Sequence, residues 1–181
     1  MIYSDVTATV GRTPLVELGR LARGLPGRVV AKLEMRNPCG SVKDRLGVAL
    51  IESAEPQGAL RPGRERVALL RHLGAEVVLT PGILMGDAVA RARQLAEETP
   101  GSIMLDQFKN PANPEVHRRT TAVEIWEDTE GAADVFVCAV GTGGTITGVG
   151  EVLKQRKAGV RVVAVEPAGA AVGCLPLRAP A

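Results

Sequence analysis

An apolar run near the end of the chain constrains the fold most. Residues 134–140 read Asp-Val-Phe-Val-Cys-Ala-Val, and a continuous run of this kind is typical of a strand buried on both faces. A helix is predicted from about residue 149 to residue 157, and residues 160–166 follow as a second buried strand. Because a strand, a helix and a strand in succession usually form a parallel pair, this segment predicts an α/β fold.

The same alternation of short apolar runs and amphipathic stretches extends over the earlier part of the chain. Strands are predicted at residues 28–34, 75–80 and 102–105. Helices are predicted at residues 42–55, 65–73 and 87–98, and another is expected to begin at Asn113. Asn113 is a suitable helix cap, and Pro114 suits the first helical position. The whole pattern predicts a parallel sheet with helices on its faces.

The composition is that of an ordinary globular protein and excludes several classes of partner. Of the 181 residues, 45% are apolar and only 2% are aromatic. Lys and Arg total 22 against 20 Asp and Glu, which gives a net charge of +2. Without a strong basic excess or aromatic residues for stacking, neither nucleic acid nor an anionic membrane is expected as a partner.

Neither the cysteines nor the histidines are spaced for a structural site. Cys39, Cys138 and Cys174 contain no C-x-x-C pair, which argues against a disulfide framework or a zinc site and suits a reducing compartment. His72 and His117 lack ligand spacing, so no metal site is expected. No signal peptide or membrane-spanning stretch is recognised, and the cytoplasm is the expected location.

Lys43 is predicted to lie in the first turn of a helix. Pro38 and Gly40 break the preceding strand. Ser41 is a natural N-cap, with Asp44 as the acidic half of a capping box. The positive end of the helix dipole favours the neutral amine, a nucleophile that can form a Schiff base with an aldehyde. The alternative is a surface lysine that happens to follow a cap.

A glycine-rich stretch, residues 141–148 and called the glycine loop below, connects the apolar run to the following helix. Glycines let the backbone turn tightly, and the first N–H groups of a helix form an anion site. Three threonines, Thr142, Thr145 and Thr147, add hydroxyl donors. The loop therefore suits a single phosphate group.

Two other phosphate motifs and a turn without a ligand are the alternatives. A dinucleotide fingerprint beginning at Gly141 has Ile146 in place of its third glycine, although Glu166 resembles its ribose-binding acid. A Walker loop requires Lys followed by Ser or Thr after Gly148, and this chain has Val149 there. Strand ends in open parallel sheets usually bind ligands, which favours a ligand over an empty turn.

The lysine and the loop together indicate one cofactor, pyridoxal 5′-phosphate. The lysine would hold the aldehyde of this cofactor, and the glycine loop would hold its phosphate. Such a cofactor withdraws electrons from carbanions next to the nitrogen of an amino acid.

Seven runs, in order along the chain, carry a resemblance to a known family. They are residues 10–16 (Val-Gly-Arg-Thr-Pro-Leu-Val), 31–34, 37–45, 106–114 (Asp-Gln-Phe-Lys-Asn-Pro-Ala-Asn-Pro), 120–126, 141–148 and 163–167. As a set they resemble the cysteine synthase (O-acetylserine sulfhydrylase) family, of the β-family or fold type II pyridoxal phosphate enzymes.

The resemblance implies an architecture. The expected fold is α/β, with two three-layer α/β/α domains, mostly parallel sheets and the cofactor in the cleft between them, as in the β-subunit of tryptophan synthase. The smaller domain is expected over residues 35–107, and the larger over residues 1–34 together with 108–181. The family usually forms a homodimer, and a serine acetyltransferase is a possible further partner.

The resemblance also implies a site and a reaction. Lys43 would be the Schiff-base lysine and the base that removes the α-proton, and Gln107 would lie beside the substrate carboxylate. The alternative for Gln107 is a strand-end hydrogen bond to the backbone. The residues implied to hold the phosphate are Gly141, Thr142, Gly143, Gly144 and Thr145. In the implied reaction, sulfide replaces the acetate of O-acetylserine to give cysteine.

The chain departs from the family pattern in three places. After Gly63 it passes directly to Arg64, where the family has a strand, a Ser-Gly-Asn-Thr-Gly loop that binds the substrate carboxylate and the cofactor's ring hydroxyl, a helix and another strand. The family's tail beyond Pro167, with a serine for the pyridine nitrogen, is absent, and Cys39 replaces a smaller residue or threonine. Both domains are therefore expected to be incomplete.

Three alternatives to the sulfhydrylase reaction follow from these features. One is a cystathionine β-synthase-like reaction, in which homocysteine replaces sulfide. Another is a truncated and catalytically inactive relative that serves as an interaction subunit. The third is a dinucleotide-binding module that uses residues 141–166, which Ile146 disfavours.

Overall fold

The computed structural model describes residues 2–55, 78, 80 and 85–166. The α-helices are α1 (Lys43–Ala54), α2 (Met85–Glu98), α3 (Ala112–Val116), α4 (Ala122–Asp128) and α5 (Gly144–Arg156). The strands are β1 (Leu15–Glu17), β2 (Val30–Lys32), β3 (Val135–Ala139) and β4 (Arg161–Val165). A π-helical turn, His117–Thr121, connects α3 directly to α4.

Strands β3 and β4 form a parallel pair with α5 as the connecting helix. Their register pairs Val135 with Arg161 at one end and Ala139 with Val165 at the other. Parallel strands cannot be joined by a tight turn, so the helix carries the chain back to the start of the second strand. The predicted strand–helix–strand unit, and with it the α/β class, is confirmed.

The apolar core lies between the helices and one face of this strand pair. Its buried members come from α4, α5 and the residue before β4: Ala122, Ile125, Val149, Leu153 and Val160. On the other face, Val137 of β3 is 58% exposed. The prediction that β3 is buried on both faces is therefore wrong for the described residues. Helix α5 covers one face of the pair, and the described residues leave the other open.

Strands β1 and β2 form a separate antiparallel pair, in which Leu15 lies opposite Lys32. Of the strand predicted at residues 28–34, only Val30–Lys32 is realised. The described part of the chain thus contains one parallel and one antiparallel pair.

The other helix predictions agree with the structure more closely than the other strand predictions. Helices α1 and α2 lie within two residues of the predicted bounds 42–55 and 87–98. The strand predicted at residues 102–105 is not formed with any residue in the described ranges. A strand requires backbone hydrogen bonds to a neighbouring strand, and these residues pair with none of the four described strands. The helix predicted at 65–73 lies outside the described residues, as does most of the strand predicted at 75–80.

No helix within the described ranges is both long enough and apolar enough to cross a lipid bilayer.

Candidate functional site

Helix α1 begins at Lys43, one residue later than predicted, so Lys43 lies in the first turn as expected but the cap is different. The backbone N–H of Lys43 donates to the Ser41 hydroxyl oxygen at 3.1 Å. The Asp44 carboxylate accepts from the N–H of Cys39 at 2.6 Å and makes no capping box with Ser41. Gly40, with φ +76°, provides the left-handed turn that brings Cys39 back over the helix start. The turn therefore fixes the backbone that carries Lys43.

Lys43 is exposed, and its charge influences two groups on other elements. Burial raises the pKa of Cys138, on β3, and the positive charge of Lys43 opposes that rise. The same charge contributes to lowering the pKa of His117, on the π-helical turn.

The glycine loop passes into α5 earlier than predicted. Gly143 has a left-handed backbone, φ +83°, and α5 begins at Gly144 rather than near residue 149. Thr145 therefore lies in the first helical turn. The cap residue of α5, Gly143, has no side chain, and the N–H of Gly144 makes a long hydrogen bond of 3.4 Å to the Thr142 hydroxyl oxygen. The first N–H groups and the positive end of the dipole of this 13-residue helix suit an anion.

Asn113 connects the glycine loop to Gln107. Its amide nitrogen donates to the Gln107 carbonyl oxygen at 2.8 Å and to the Thr142 hydroxyl oxygen at 2.9 Å. A β-carbon added to Gly144 would lie 2.0 Å from the Asn113 amide oxygen, so only glycine fits there. The prediction that Asn113 caps its helix is wrong: α3 begins at Ala112, whose N–H donates to the Asn110 side chain.

The ring of His117 contacts the first turn of α5 through Thr145. Its ring is buried, with Nδ1 2.9 Å from the Thr121 hydroxyl and Nε2 3.0 Å from the Thr145 hydroxyl. Burial, followed by the positive charge of Arg45, lowers its pKa to about 4, so the imidazole is neutral at physiological pH. In the sequence, His117 is weighed only as a metal ligand. Its contact with Thr121 could have been predicted from their spacing of four residues, because residues so spaced meet on one helix face.

The buried guanidinium of Arg45, in the first turn of α1, connects this helix to other elements. Arg45 is 1% exposed and donates to both Glu34 oxygens at 2.8 and 2.9 Å and to both Glu124 oxygens at 2.6 and 2.7 Å. Lys32 contacts Glu124 as well, at 2.8 Å. Burial alone would raise the pKa of Glu124, but hydrogen bonds from Arg45, Lys32 and a backbone N–H lower it to about 2. This network of ion pairs around the Arg45 guanidinium joins β2, α1 and α4.

Several of the residues that the sequence singles out are connected by hydrogen bonds. Asn113 connects the Gln107 backbone with Thr142, and His117 contacts Thr145. Gly141 and Gly143 lie in the same loop. This region combines threonine hydroxyls with the first turn of a helix, which is chemistry for an anionic ligand. Within the described ranges, no group of three or more His, Cys, Asp or Glu residues could hold a metal ion.

Comparison with protein families gives one match that extends over nearly the whole chain. Residues 6–64 and 57–179 match the family described as "Pyridoxal-phosphate dependent enzyme". The two matched ranges overlap at residues 57–64, so the family pattern is interrupted there.

Curated relatives show the same similarity. The chain is 41% identical over 205 residues to a cysteine synthase A of Salmonella typhi, a match that covers 92% of this chain and 62% of the relative. It is 39% identical over 200 residues to a cysteine synthase of Staphylococcus aureus, covering 90% of this chain and 64% of the relative. The chain therefore spans less than two thirds of the length of these relatives.

A solved structure agrees in fold. The O-acetyl serine sulfhydrylase isoform 3 of Entamoeba histolytica superposes with a TM-score of 0.82 at 38% identity, covering 95% of this chain and 63% of that chain. A protein described as an O-ureido-L-serine synthase gives a TM-score of 0.81 at 36% identity, covering 94% and 65%.

Proposed function

The chain belongs to the family of pyridoxal-phosphate dependent enzymes, and from this premise we propose that it is a cysteine synthase. In the proposed reaction sulfide replaces the acetate of O-acetyl-L-serine, so that L-cysteine and acetate are formed. The observation that carries the proposal is the start of α5, where Gly143 has a left-handed backbone and the close approach of Asn113 to Gly144 excludes any side chain. The names of the relatives in three organisms support the choice of reaction.

The described residues fit the aldehyde and the phosphate of the cofactor. Gly144 faces Asn113 so closely that it cannot carry a side chain, and the N–H of Gly144 has only a long hydrogen bond of 3.4 Å, to the Thr142 hydroxyl. The backbone N–H groups of Gly143, Gly144 and Thr145, with the Thr142 and Thr145 hydroxyls, would hold the phosphate, and Gly141 lets the loop approach it. When bound, pyridoxal 5′-phosphate supplies an aldehyde for a lysine amine and a ring that withdraws electrons from the substrate's α-carbon.

In this proposal Lys43 has two roles. Its amine is the attachment point for the cofactor, and it removes and returns the proton at the α-carbon of the substrate. The side chain is exposed at the first residue of α1, where a cofactor can reach it. Gln107 would lie beside the substrate carboxylate, with its backbone held by Asn113.

We extend the proposal to the two-domain architecture. The smaller domain would comprise residues 35–107 and the larger residues 1–34 with 108–181, each with three α/β/α layers and a mostly parallel sheet, the cofactor lying between them. The ion pairs from Arg45 to Glu34 and Glu124 cross this boundary. The start of α1 would therefore stay with the larger domain during any closure.

The proposed assembly is a homodimer in the cytoplasm, with a serine acetyltransferase as a possible partner. Cys39 and Cys138 are free thiols, which suits a reducing compartment. Light scattering on the purified protein, alone and with a serine acetyltransferase, tests both the dimer and the complex.

Replacing Lys43 by alanine tests the attachment point. We expect the purified protein to be yellow and Lys43→Ala to lose the visible absorbance band, because no other amine is placed at the start of α1. Lys154→Ala, which removes an exposed lysine of α5, is the matched control and should keep the band. Identical visible spectra for wild type and Lys43→Ala would exclude Lys43.

Replacing Thr145 by alanine tests the phosphate site. We expect Thr145→Ala to weaken cofactor binding about fivefold, the worth of one hydrogen bond, and to lower the thermal midpoint of the apoprotein modestly, because the His117 ring loses one partner. Thr145→Ser keeps the hydroxyl and should bind as the wild type does. Full cofactor occupancy together with a large loss of thermal stability in Thr145→Ala would contradict the assignment.

A further inference from the structure

The neutral ring of His117 lies between two threonine hydroxyls, and each ring nitrogen has one hydroxyl partner. Nδ1 faces Thr121 at 2.9 Å and Nε2 faces Thr145 at 3.0 Å. A neutral imidazole has one N–H donor and one bare nitrogen acceptor. One hydroxyl must therefore donate its proton to the ring, and the other must accept the ring's proton.

Thr121 decides which hydroxyl donates. It is 2% exposed, and within the described ranges its hydroxyl has the His117 ring as its one hydrogen-bond partner. A buried hydroxyl proton without an acceptor is costly, so Thr121 donates to Nδ1. The neighbouring Thr120 has a different acceptor, the Val116 carbonyl at 2.6 Å.

Donation by Thr121 fixes the rest of the arrangement. With Nδ1 as the acceptor, the ring proton is on Nε2 and is donated to the Thr145 oxygen. The Thr145 hydroxyl then keeps its own proton for another partner. In the opposite tautomer, Thr145 would donate its proton to Nε2 and would offer an incoming anion only lone pairs.

We propose that His117 is a positioning residue of the phosphate site: its Nε2–H tautomer, fixed by Thr121, leaves the Thr145 hydroxyl proton free to bind a phosphate oxygen. The inference concerns the site of the proposed function and rests on it for the identity of the phosphate. His117 does not touch the ligand and acts through Thr145.

The surroundings of the ring favour its neutral form. The ring is 2% exposed, and the nearby charges of Arg45 and Lys43 disfavour a second ring proton more than Glu34 favours it. A protonated ring would also leave Thr121 without its acceptor. The tautomer is therefore maintained by packing and by hydrogen bonding together.

The first test measures the tautomer directly and needs no cofactor. The chain has two histidines, so long-range proton–nitrogen correlation spectra of protein with ¹⁵N-labelled histidine contain two rings, and His72→Gln identifies His117. We expect the neutral Nε2–H pattern for His117 in the full apoprotein. A neutral Nδ1–H pattern, or a protonated ring at neutral pH, would overturn the inference.

The second test asks whether the tautomer matters for binding. Thr121→Val removes the proton given to Nδ1, and Thr121→Ser keeps it. In the part of the chain that the structure describes, the Thr121 hydroxyl makes no hydrogen bond to the glycine loop. We expect Thr121→Val to bind pyridoxal 5′-phosphate about fivefold more weakly than Thr121→Ser in equilibrium dialysis, with a second tautomer visible in its spectrum. Equal affinities would overturn the inference.

The two tests separate this inference from the proposed function. A wild-type protein that binds the cofactor while His117 is the Nδ1–H tautomer contradicts the inference alone. A wild-type protein that does not bind the cofactor contradicts the proposed function and the phosphate half of the inference, whatever the tautomer.

Discussion

Arg45 is the residue whose removal should affect stability most. Its guanidinium is buried and contacts four carboxylate oxygens, so Arg45→Ala would leave Glu34 and Glu124 without their main partner. We expect the free energy of unfolding to fall by about 3–5 kcal/mol, as for a broken buried ion pair. Urea titration of wild type and variant measures the change.

The matched control is a surface ion pair on β1. Arg28 and Glu17 are 75% and 55% exposed, and their pair at 3.0 Å is open to solvent. Arg28→Ala should change the free energy of unfolding by about 1 kcal/mol or less. If the two arginine variants lose similar amounts of unfolding free energy, the buried Arg45 network does not stabilise the fold by the amount expected here.

At the scale of residues, the sequence predicts local chemistry and misses long-range partners. Lys43 at a helix start and the glycine loop are recognisable because their signals lie within a few neighbouring residues. Arg45 and Glu124 are 79 residues apart, and His117 and Thr145 are 28 apart, so no local pattern joins them. The sequence predicts Asn113 as a helix cap. Its contact with Thr142 depends on the packing of α3 against α5, which no local pattern reveals.

At the scale of elements, the close packing of α3 on α5 depends on Gly148 as well as on Gly144. A β-carbon on Gly148 would lie 2.2 Å from the Pro114 carbonyl oxygen and 2.8 Å from the His117 β-carbon. Because backbone cannot yield as a flexible side chain can, we expect Gly148→Ala to lower the free energy of unfolding by about 1–3 kcal/mol or more. Chemical denaturation gives the value.

Gly47 provides a control on another helix. It lies inside α1, and no described atom is within 4 Å of the position of an added β-carbon. Gly47→Ala should raise stability by about 0.5–1 kcal/mol, because alanine loses less backbone entropy on folding. If both variants are stabilised, the distance between α3 and α5 is not set by Gly148.

The elements themselves are predicted best where neighbours in sequence determine them. Helix α1 agrees with its amphipathic pattern to within one residue at each end. Helix α5 begins at Gly144, because contact with Asn113 favours a helix where glycines alone would predict a loop. The burial of β3 was overestimated because a run such as Val-Phe-Val-Cys-Ala does not reveal how many layers cover it.

At the scale of the whole molecule, one difference from the relatives lies inside the matched region. The alignment with the Salmonella typhi relative extends over 205 residues but contains 92% of this 181-residue chain, or about 167 residues. About 38 alignment positions therefore have no counterpart here. The interruption of the family match at residues 57–64 agrees with the departure expected after Gly63. Lys43 and the glycine loop lie on either side of this interruption, so the proposed lysine and phosphate contacts do not depend on it.

The stability of the whole molecule should fall in two steps as the pH is lowered. Folding lowers the pKa of His117 from 6.5 to about 4, so between these values the unfolded chain binds a proton that the folded chain does not. The contribution of His117 is complete above pH 6.5 and is lost as the pH falls to about 4, a loss on the order of 3 kcal/mol.

Glu124 acts in a lower range. Its pKa falls from 4.5 to about 2 on folding, so its contribution is complete above pH 4.5 and is lost as the pH falls to about 2. Glu34, whose pKa is also lowered on folding, adds to this second step. Urea titrations at a series of pH values should therefore show losses of stability both above and below pH 4.5.

His117→Gln separates the two steps. The glutamine side chain does not titrate, so this variant should lose less stability than the wild type between pH 6.5 and 4, while its loss at lower pH remains. An upper step of the same size in both proteins would show that folding does not lower the pKa of His117. Burial of the ring and the charge of Arg45 would then not be what keeps it neutral.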